Sequence, residues 1–299
     1  MKITVIGTTC IDKITVNRQK RKLFGGITYV ITALSVLLKD KGIIFPVTKL
    51  EKKYKKEFEK FISPYNNINL KFLYDEQGKT NIIELLYDDK KKSRDEKSFL
   101  KSTDIQFKEI EPALSASDIL IITFISGYDI KLTTLEKIRK NFKGIIYGDI
   151  HSYILEKTDN NIRPFKRINK PEKFLQNFDI IQGSDIEWSV MLKSKFLDLT
   201  FDKYKAAATY VLGLGCKKMI ITMGDKGVFG AELIHNKIKF YYIKAKKVNN
   251  IIDTTGCGDT LLAGTVFKLL KGKKFKASLK FGNSLAAEQT KRVGFFPPI

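Results

Sequence analysis

Residues 253–259 read Asp-Thr-Thr-Gly-Cys-Gly-Asp, a combination of residue types that could transfer a phosphoryl group. Gly256 and Gly258 are expected to adopt backbone conformations closed to other residues and to approach a bound group closely. Apolar residues at helical spacing follow, so the free N–H groups of a helix start should form an anion site here. We expect Asp259 beside that site to stay ionised at neutral pH and to take a proton from an attacking hydroxyl group. This pattern predicts phosphoryl transfer; the alternative is a glycine-rich turn capped by an ordinary aspartate.

The same seven residues resemble the Asp-Thr-x-Gly-Ala-Gly-Asp signature of the ribokinase-like, phosphofructokinase-B type (PfkB) family of carbohydrate kinases. The resemblance implies that Asp259 is the catalytic base. It also implies that the backbone amides of Gly256, Cys257 and Gly258 hold the transferring phosphoryl group as an anion hole. Asp253 would lie near a site for a monovalent cation such as K⁺. Cys257 stands where the family usually has alanine, and its small side chain leaves the expected turn unchanged.

Residues in the first half of the chain resemble the acceptor site of the same family. Gly25 and Gly26 precede a predicted helix and resemble the family's Gly-Gly motif, although Val30 stands where that motif has an asparagine. Asp12 matches an aspartate that hydrogen-bonds the hydroxyl groups of the substrate; a turn residue after a strand is the alternative interpretation. Asp149 ends a predicted strand, where ligands of parallel α/β sheets bind. We therefore expect these residues to bind the acceptor, whose identity Val30 leaves open.

The second half of the chain resembles the family's nucleotide and metal sites. The nucleotide turn, Thr-x-Gly-x-x-Gly, is matched by Thr222, Gly224 and Gly227, and the position that encloses the base is matched by Asn283. Glu187 matches a glutamate that acts on Mg²⁺ and the phosphates through water. Ser184 replaces the asparagine of that motif, and Ser184 with Glu187 also fits a helix capping box. The resemblance thus implies ATP and Mg²⁺ as cofactors.

Alternating short elements must position these residues. Apolar runs at 119–123, 144–148 and 178–182 alternate with helical segments, which favours a parallel sheet with right-handed crossovers. Residues 11–17 and 70–87 read as strands outside that sheet, with 70–75 and 80–87 joined as a hairpin. We expect them to form a small β lid that closes over the acceptor.

The fold class predicted for residues 1–299 is therefore α/β: one ribokinase-like domain with a central, mostly parallel sheet flanked by helices, and the small β lid. Two stretches are predicted outside these elements. The charged residues 88–97 are expected to form a disordered loop, and residues 156–173 a long surface loop.

Composition excludes several other classes of protein. The net charge is +22, but only seven of the 54 basic residues are arginines, the residue type that recognises bases and phosphates best. The lysines are spread along the chain, so we expect a solvated surface and no specific nucleic-acid partner; polyanion binding is the alternative. The longest apolar run is too short to span a bilayer, and no membrane partner is expected. Three dispersed cysteines fit a cytoplasmic protein.

The sequence therefore predicts an ATP-dependent kinase that transfers the γ-phosphoryl group to a hydroxyl of a sugar or sugar-like small molecule. Its partners would be that acceptor and ATP, and the resemblance allows a homodimer formed through the lid. A nucleoside or vitamin-precursor kinase of the same superfamily and a weakly active nucleotide-binding relative are the alternatives.

Overall fold

The computed structural model describes residues 1–16, 19–88, 93–192 and 200–295. In chain order its strands are β1 (Lys2–Ile6), β2 (Thr9–Val16), β3 (Gln19–Gly26), β4 (Ile43–Leu50), β5 (Leu73–Asp75), β6 (Ile82–Asp88), β7 (Ser93–Phe99), β8 (Ile119–Thr123), β9 (Ile145–Asp149), β10 (Ile180–Ser184), β11 (Lys218–Thr222), β12 (Val228–Ile234) and β13 (Lys237–Ile243). Its helices are α1 (Thr28–Leu38), α2 (Lys52–Ile62), α3 (Phe107–Leu114), α4 (Leu132–Asn141), α5 (Pro171–Leu175), α6 (Asp185–Met191), α7 (Phe201–Gly213), α8 (Cys257–Leu270) and α9 (Phe275–Gln289). None of the helices in these ranges is long and apolar enough to cross a membrane.

A nine-stranded sheet forms the centre of the fold, in the order β13-β12-β11-β10-β9-β8-β1-β4-β5. The strands from β5 to β11 run parallel, whereas β12 and β13 are antiparallel additions at one edge. This order confirms the predicted, mostly parallel sheet. Because parallel strands end at the same edge, residues that follow β1, β8, β9, β10 and β11 are brought together there.

Helices cover both faces of this sheet and explain why its strands are apolar throughout. In β8, Ile119 and Ile121 pack with α1 and α8, whereas Leu120 and Ile122 pack into the core on the opposite face. Successive side chains of a strand point to opposite faces, so a strand covered on both sides needs an uninterrupted apolar run.

A separate four-stranded sheet forms the lid, in the order β3-β2-β6-β7. The predicted lid segment 11–17 lies in β2 up to residue 16, while residue 17 falls outside the described residues. Residues 82–87 of the second predicted segment lie in β6, which pairs in parallel with β2.

Two predictions about the lid were wrong. Residues 73–75 form β5, which pairs with β4 at the edge of the central sheet, so they do not belong to the lid. The chain does not reverse into a hairpin after β5, because a Glu76 carboxylate oxygen accepts the amides of Gly78 and Thr103 and holds two lid connections together. Residues 93–97, predicted to be disordered, lie in edge strand β7 and pair with β6; residues 89–92 are outside the described part. The predicted surface loop 156–173 likewise contains the start of α5.

Candidate active site

A cavity of about 290 Å³ lies between the lid and the carboxyl ends of the central strands. Strands of both sheets and the start of α8 contribute to its wall. Of the residues predicted from the sequence, those that line it are Asp12, Gly26, Asp149, Glu187, Thr222, Gly256, Gly258 and Asp259. The fold therefore brings most of the predicted acceptor residues and the predicted base into one cavity.

The two glycines of the 253–259 turn have different structural roles. Gly256 has a φ of +77°, and a Cβ atom there would lie 2.5 Å from Cδ1 of Tyr29, so glycine is required at this position. Gly258 lies within α8 without a positive φ, and the nearest atom to a Cβ there would be Nε2 of Gln182 at 4.0 Å. The expectation that Gly258 needs a special backbone conformation was wrong.

The start of α8 presents backbone donors to the cavity. The amide of Cys257 donates to the carbonyl of Thr254 at 3.3 Å, whereas the amides of Gly256 and Gly258 have no partner among the described residues. Free amides at a helix start, together with the helix dipole, form an anion site. Gln182 fixes this start, since its Nε2 donates to the Gly258 carbonyl at 3.2 Å. Two of the three amides of the predicted anion hole are thus available to a ligand.

Asp259 is buried at the same helix start. Its side chain is 8% exposed, and Oδ1 has no hydrogen-bond partner within the part of the chain that the structure describes. Burial, reinforced by the charges of Asp12 and Glu187, raises the pKa of Asp259 to about 7. The expectation that Asp259 is fully ionised at neutral pH was therefore wrong. A pKa near neutrality is well matched to a general base.

The acceptor end of the cavity is shaped around Asp12. A Cβ atom on Gly25 would lie 2.0 Å from Oδ2 of Asp12, so this glycine makes room for the carboxylate. Gly26 has a φ of +67°, and its Cβ would lie 2.1 Å from the Thr8 carbonyl oxygen. Cys10 donates its Sγ hydrogen to Oδ1 of Asp12 at 3.2 Å. Both predicted glycines are thus required for the position of Asp12 and of the strand beside it.

Val30, which replaces the asparagine of the family motif, does not reach the cavity. It is completely buried in the core between α1 and the central sheet. The preceding residue, Tyr29, lines the cavity instead, and its buried hydroxyl group has no hydrogen-bond partner among the described residues. The aromatic ring of Tyr29 packs against that of Phe295, with 4.5 Å between the ring centroids.

Asp149 and Glu187 form a second acidic pair in the cavity. Burial raises the pKa of Asp149 well above its ordinary value, and the charges of Glu187 and Asp259 raise it further. Glu187 also completes the capping box: its Oε2 accepts the Ser184 amide at 2.7 Å, and the Ser184 hydroxyl accepts the Glu187 amide at 3.2 Å. Burial raises the pKa of Glu187 to about 7.

This acidic pair fits Mg²⁺ better than a metal held by protein alone. In the described part of the chain, no three acidic, histidine or cysteine side chains lie close enough to hold a metal by themselves. Mg²⁺ usually takes one or two carboxylates and completes its shell with water and phosphate oxygens. Two neighbouring carboxyl groups with raised pKa values suit that arrangement.

A second cavity of about 470 Å³ adjoins the first, and Thr254 lines both. Its wall includes Gly224, Asn283, the aliphatic residues Val248 and Ile251, and Cys257. Asn283 donates from Nδ2 to the Lys244 carbonyl at 2.9 Å and so holds the adjoining loop. The cavity has the apolar lining and the few polar groups that a nucleotide base requires.

Three predicted residues have positions that differ from the expected nucleotide and cation sites. Thr222 lines the first cavity, not the second. Gly227 lines neither: its φ is +112°, and a Cβ there would lie 2.1 Å from the Ile243 carbonyl oxygen, so its glycine serves the turn. Asp253 also lines neither cavity, and its Oδ1 accepts the Thr255 amide at 2.9 Å. A monovalent cation at Asp253 stays a prediction.

The sequence interpretation missed several residues of the cavity. Gln182 ends a central strand, so the rule that ligands bind beyond the carboxyl ends of parallel strands could have identified it. No comparable signal marks Tyr29 or the lid residues Ile83, Leu85 and Glu96, because only the pairing of the lid strands shows which of their side chains face the cavity.

Comparison with known proteins agrees with this architecture. The chain is 23% identical to a putative 1-phosphofructokinase of Mycoplasma genitalium over 98% of this chain and 90% of that protein. It is 31% identical over 125 residues to a ribokinase of Staphylococcus aureus, a match that covers 42% of this chain but only 39% of the ribokinase. A structure of Arabidopsis thaliana ribokinase complexed with ribose and ATP shares the fold, with a TM-score of 0.75, 16% identity, and coverage of 98% of this chain and 93% of that one.

The family is shown by a longer match. Residues 64–297, which include the acidic pair, the nucleotide-like turn and the whole 253–259 stretch, match the pfkB family of carbohydrate kinases. The order of these elements along the chain and their meeting in one cavity agree with that match. The chain belongs to the pfkB family of carbohydrate kinases.

Proposed function

We propose that this protein is an ATP-dependent kinase that transfers the γ-phosphoryl group to a hydroxyl of a small sugar or sugar-like acceptor. The observation that carries this proposal is the start of α8. There a buried carboxylate, Asp259, stands beside the free amides of Gly256 and Gly258 in a cavity that Asp12 also lines. This arrangement pairs a proton acceptor with an anion site, as attack by a hydroxyl group on a phosphoryl group requires.

Each side chain has a defined task in this reaction. Asp12 accepts hydrogen bonds from acceptor hydroxyl groups, and Asp259 takes the proton from the hydroxyl that attacks. The amides of Gly256 and Gly258 donate to the phosphoryl oxygens as charge develops on them. Glu187 would hold Mg²⁺ through water, and Asp149 lies beside it. The chemistry that Mg²⁺ supplies when bound is neutralisation of phosphate charge.

The second cavity is the proposed site for the adenosine part of ATP. It adjoins the first cavity at Thr254, so a nucleotide bound there would direct its phosphates toward the start of α8. Gly224 and Asn283 line it, and the Arabidopsis relative is described with ATP bound. A monovalent cation near Asp253 is proposed on the family resemblance alone.

The size of the first cavity favours a sugar over the larger acceptors. Ligand cavities usually measure about 300–1,000 Å³, and this one, at about 290 Å³, must also hold the transferring phosphoryl group. A nucleoside or vitamin precursor would need more room or a more open lid. The intact Asp259 argues against a relative that only binds nucleotides.

The test is release of ADP from ATP and Mg²⁺ across a panel of acceptors that includes ribose, fructose, myo-inositol and adenosine. We expect acceptor-dependent ADP release with at least one of the monosaccharides or polyols. Release with adenosine alone would favour the nucleoside kinase. Tight ATP binding without transfer to any acceptor would favour the nucleotide-binding relative.

Replacement of Asp12 should separate the two substrates. In Asp12→Asn we expect the KM for the acceptor to rise about 10- to 100-fold, because a hydrogen bond to a charged group contributes roughly 1.5–3 kcal/mol. The KM for ATP should change little, since Asp12 does not line the second cavity. Steady-state kinetics with each substrate varied in turn gives both values. Asp202→Asn, a change at a side chain that is 92% exposed, is the control. Equal losses for both substrates would remove Asp12 from the acceptor site.

The pH dependence of transfer should report the proposed base. Because burial raises the pKa of Asp259 to about 7, the active carboxylate form accumulates as the pH rises through that value. We expect kcat/KM for the acceptor to rise between about pH 6 and pH 8 and then level off. A rate that is constant from pH 5 to pH 8 would contradict a base with this pKa.

A homodimer through the lid also stays a prediction. The outer face of the lid carries Lys13, which pairs with Glu84 at 3.1 Å, and Lys22, which pairs with Glu57 at 2.8 Å. These exposed charges would have to be accommodated in any interface that used this face. Sedimentation analysis of the intact protein measures the oligomeric state directly.

A further inference from the structure

The inner face of the lid contributes one acidic side chain to the first cavity. In the antiparallel pair of β6 and β7, Leu85 is opposite Glu96 and Ile83 is opposite Ser98. Side chains at opposed positions point to the same face of a sheet. Ile83, Leu85 and Glu96 all line the cavity, and the Ser98 hydroxyl donates to Oε1 of Glu96 at 2.9 Å. Glu84, at an alternate position of β6, forms its ion pair with Lys13 on the other face.

The wall of this cavity has a charge opposite to that of the whole protein. Its ionisable residues, apart from Cys10, Tyr29 and His151, are Asp12, Glu96, Asp149, Glu187 and Asp259, and no lysine or arginine lines it in the described part of the chain. The raised pKa values of the last three residues agree with this, because the groups that raise them are other acids and the burial of the site. In a protein with a net charge of +22, an acidic cavity is a local feature of the site.

Arg163 is a cation close to this cavity, but its guanidinium group lies behind the wall. A Cβ atom on Gly127 would lie 3.2 Å from Nη2 of Arg163 and 2.3 Å from the carbonyl oxygen of Ser152, which is a lining residue. Nη2 of Arg163 donates to the Ser126 carbonyl, and Nε to the Glu156 carbonyl at 3.5 Å. Arg163 therefore already has backbone acceptors and is separated from the cavity by the 126–127 turn.

We propose that Glu96, together with Asp12, selects an uncharged acceptor and excludes phosphorylated sugars. The inference rests on the proposed kinase function and names the substrate class of the same site. Hydroxyl groups can donate to both carboxylates, whereas a phosphate group placed between them would meet two like charges away from bulk water. Like-charge contacts of this kind cost several kcal/mol and reject the wrong partner. The Mycoplasma genitalium relative carries the name of a kinase for a phosphorylated sugar, so the inference separates this protein from the name of that relative.

Matched pairs of acceptors test the proposal. With ATP and Mg²⁺, kcat/KM is measured for fructose against fructose 1-phosphate and fructose 6-phosphate, and for ribose against ribose 5-phosphate. Binding of the same compounds to the ATP-free protein is measured by calorimetry, which does not depend on turnover. We expect the uncharged member of at least one pair to be preferred about 100-fold or more in both measurements.

The Glu96→Gln variant assigns that preference to its residue. Removal of one negative charge should reduce the preference by about tenfold, mainly through better binding of the phosphorylated member. Glu84→Gln is the matched control, because it removes the same charge from the outer face of the same strand pair and should leave the preference unchanged. An equal effect of both variants would show a general charge effect and would contradict a role for Glu96.

Other outcomes overturn the proposal in distinguishable ways. A preference for phosphorylated members that is lost in Arg163→Gln would assign the phosphate to Arg163 and reject an uncharged acceptor. Binding of uncharged sugars without any phosphoryl transfer would support the selectivity but contradict the proposed function. ATP binding with no binding of either member of any pair would reject the proposed substrate class.

Discussion

Replacement of Asp259 by asparagine should reduce phosphoryl transfer by about 10²- to 10⁴-fold, the usual cost of losing a general base. Asparagine keeps the size of the side chain and its place at the start of α8, but it cannot accept the proton of the attacking hydroxyl group. The KM for ATP should change little, because Asp259 does not line the second cavity. The measurement is single-turnover transfer at saturating ATP, which separates the chemical step from product release. The rising limb of the pH profile near pH 7 should disappear in this variant.

The same substitution should not destabilise the fold. The pKa of Asp259 is raised from its ordinary value of 3.8 to about 7 in the folded protein, so the folded state holds this proton more tightly than the unfolded state does. Stability contributed by the protonated form is therefore lost as the pH rises from about 4 to about 7. Asparagine cannot ionise, so the melting temperature of the variant relative to the wild type should be higher at pH 8 than at pH 4.

These two readouts together distinguish a base from a structural cap. A cap would lose stability on replacement and affect transfer only through misfolding. A base would lose transfer while the melting temperature is kept or raised. Near-normal turnover by Asp259→Asn on the best acceptor would show that the residue caps the helix and that the proposed mechanism is wrong.

The sequence predicted the central sheet well because its strands are apolar on both faces and alternate with helices. It could not place residues 73–75, since a short alternating run can pair equally well at the edge of either sheet. Pairing of β5 with β4 is decided by long-range contacts, among them the Glu76 amide that donates to the Leu50 carbonyl at 3.0 Å. The lid was therefore predicted in kind but not in its strands.

The site was predicted where a local motif requires a definite geometry. Ser184 and Glu187 fit both a capping box and a metal-linked glutamate, and the structure shows why both interpretations can hold. One carboxylate oxygen of Glu187 accepts the Ser184 amide, while the side chain still lines the cavity. By contrast, the replacement of the family asparagine by Val30 gave no hint that Tyr29 faces the cavity. That depends on how α1 is rotated against the central sheet, which no short motif specifies.

Gly256→Ala should have the second large effect, and Gly258→Ala is its matched control two residues away. At Gly256 the added Cβ meets a positive φ of +77° and lies 2.5 Å from the ring of Tyr29. Backbone strain of this kind costs about 1–3 kcal/mol, and the ring cannot move freely because Phe295 packs against it. We expect a lower melting temperature and at least a 100-fold loss of transfer, as the free amides at the start of α8 move away from the phosphoryl group.

At Gly258 the same methyl group meets only Nε2 of Gln182, at 4.0 Å, and lies within a helix, where alanine is favoured by roughly 1 kcal/mol. Gly258→Ala should therefore keep or raise the melting temperature, and any loss of transfer would arise only from the methyl group facing the cavity. Thermal unfolding and transfer rates of both variants, measured side by side, separate the two effects. A stable Gly256→Ala protein with normal transfer would show that the turn can relax around the new side chain, and the amides at the start of α8 would then lose their assignment as the anion hole.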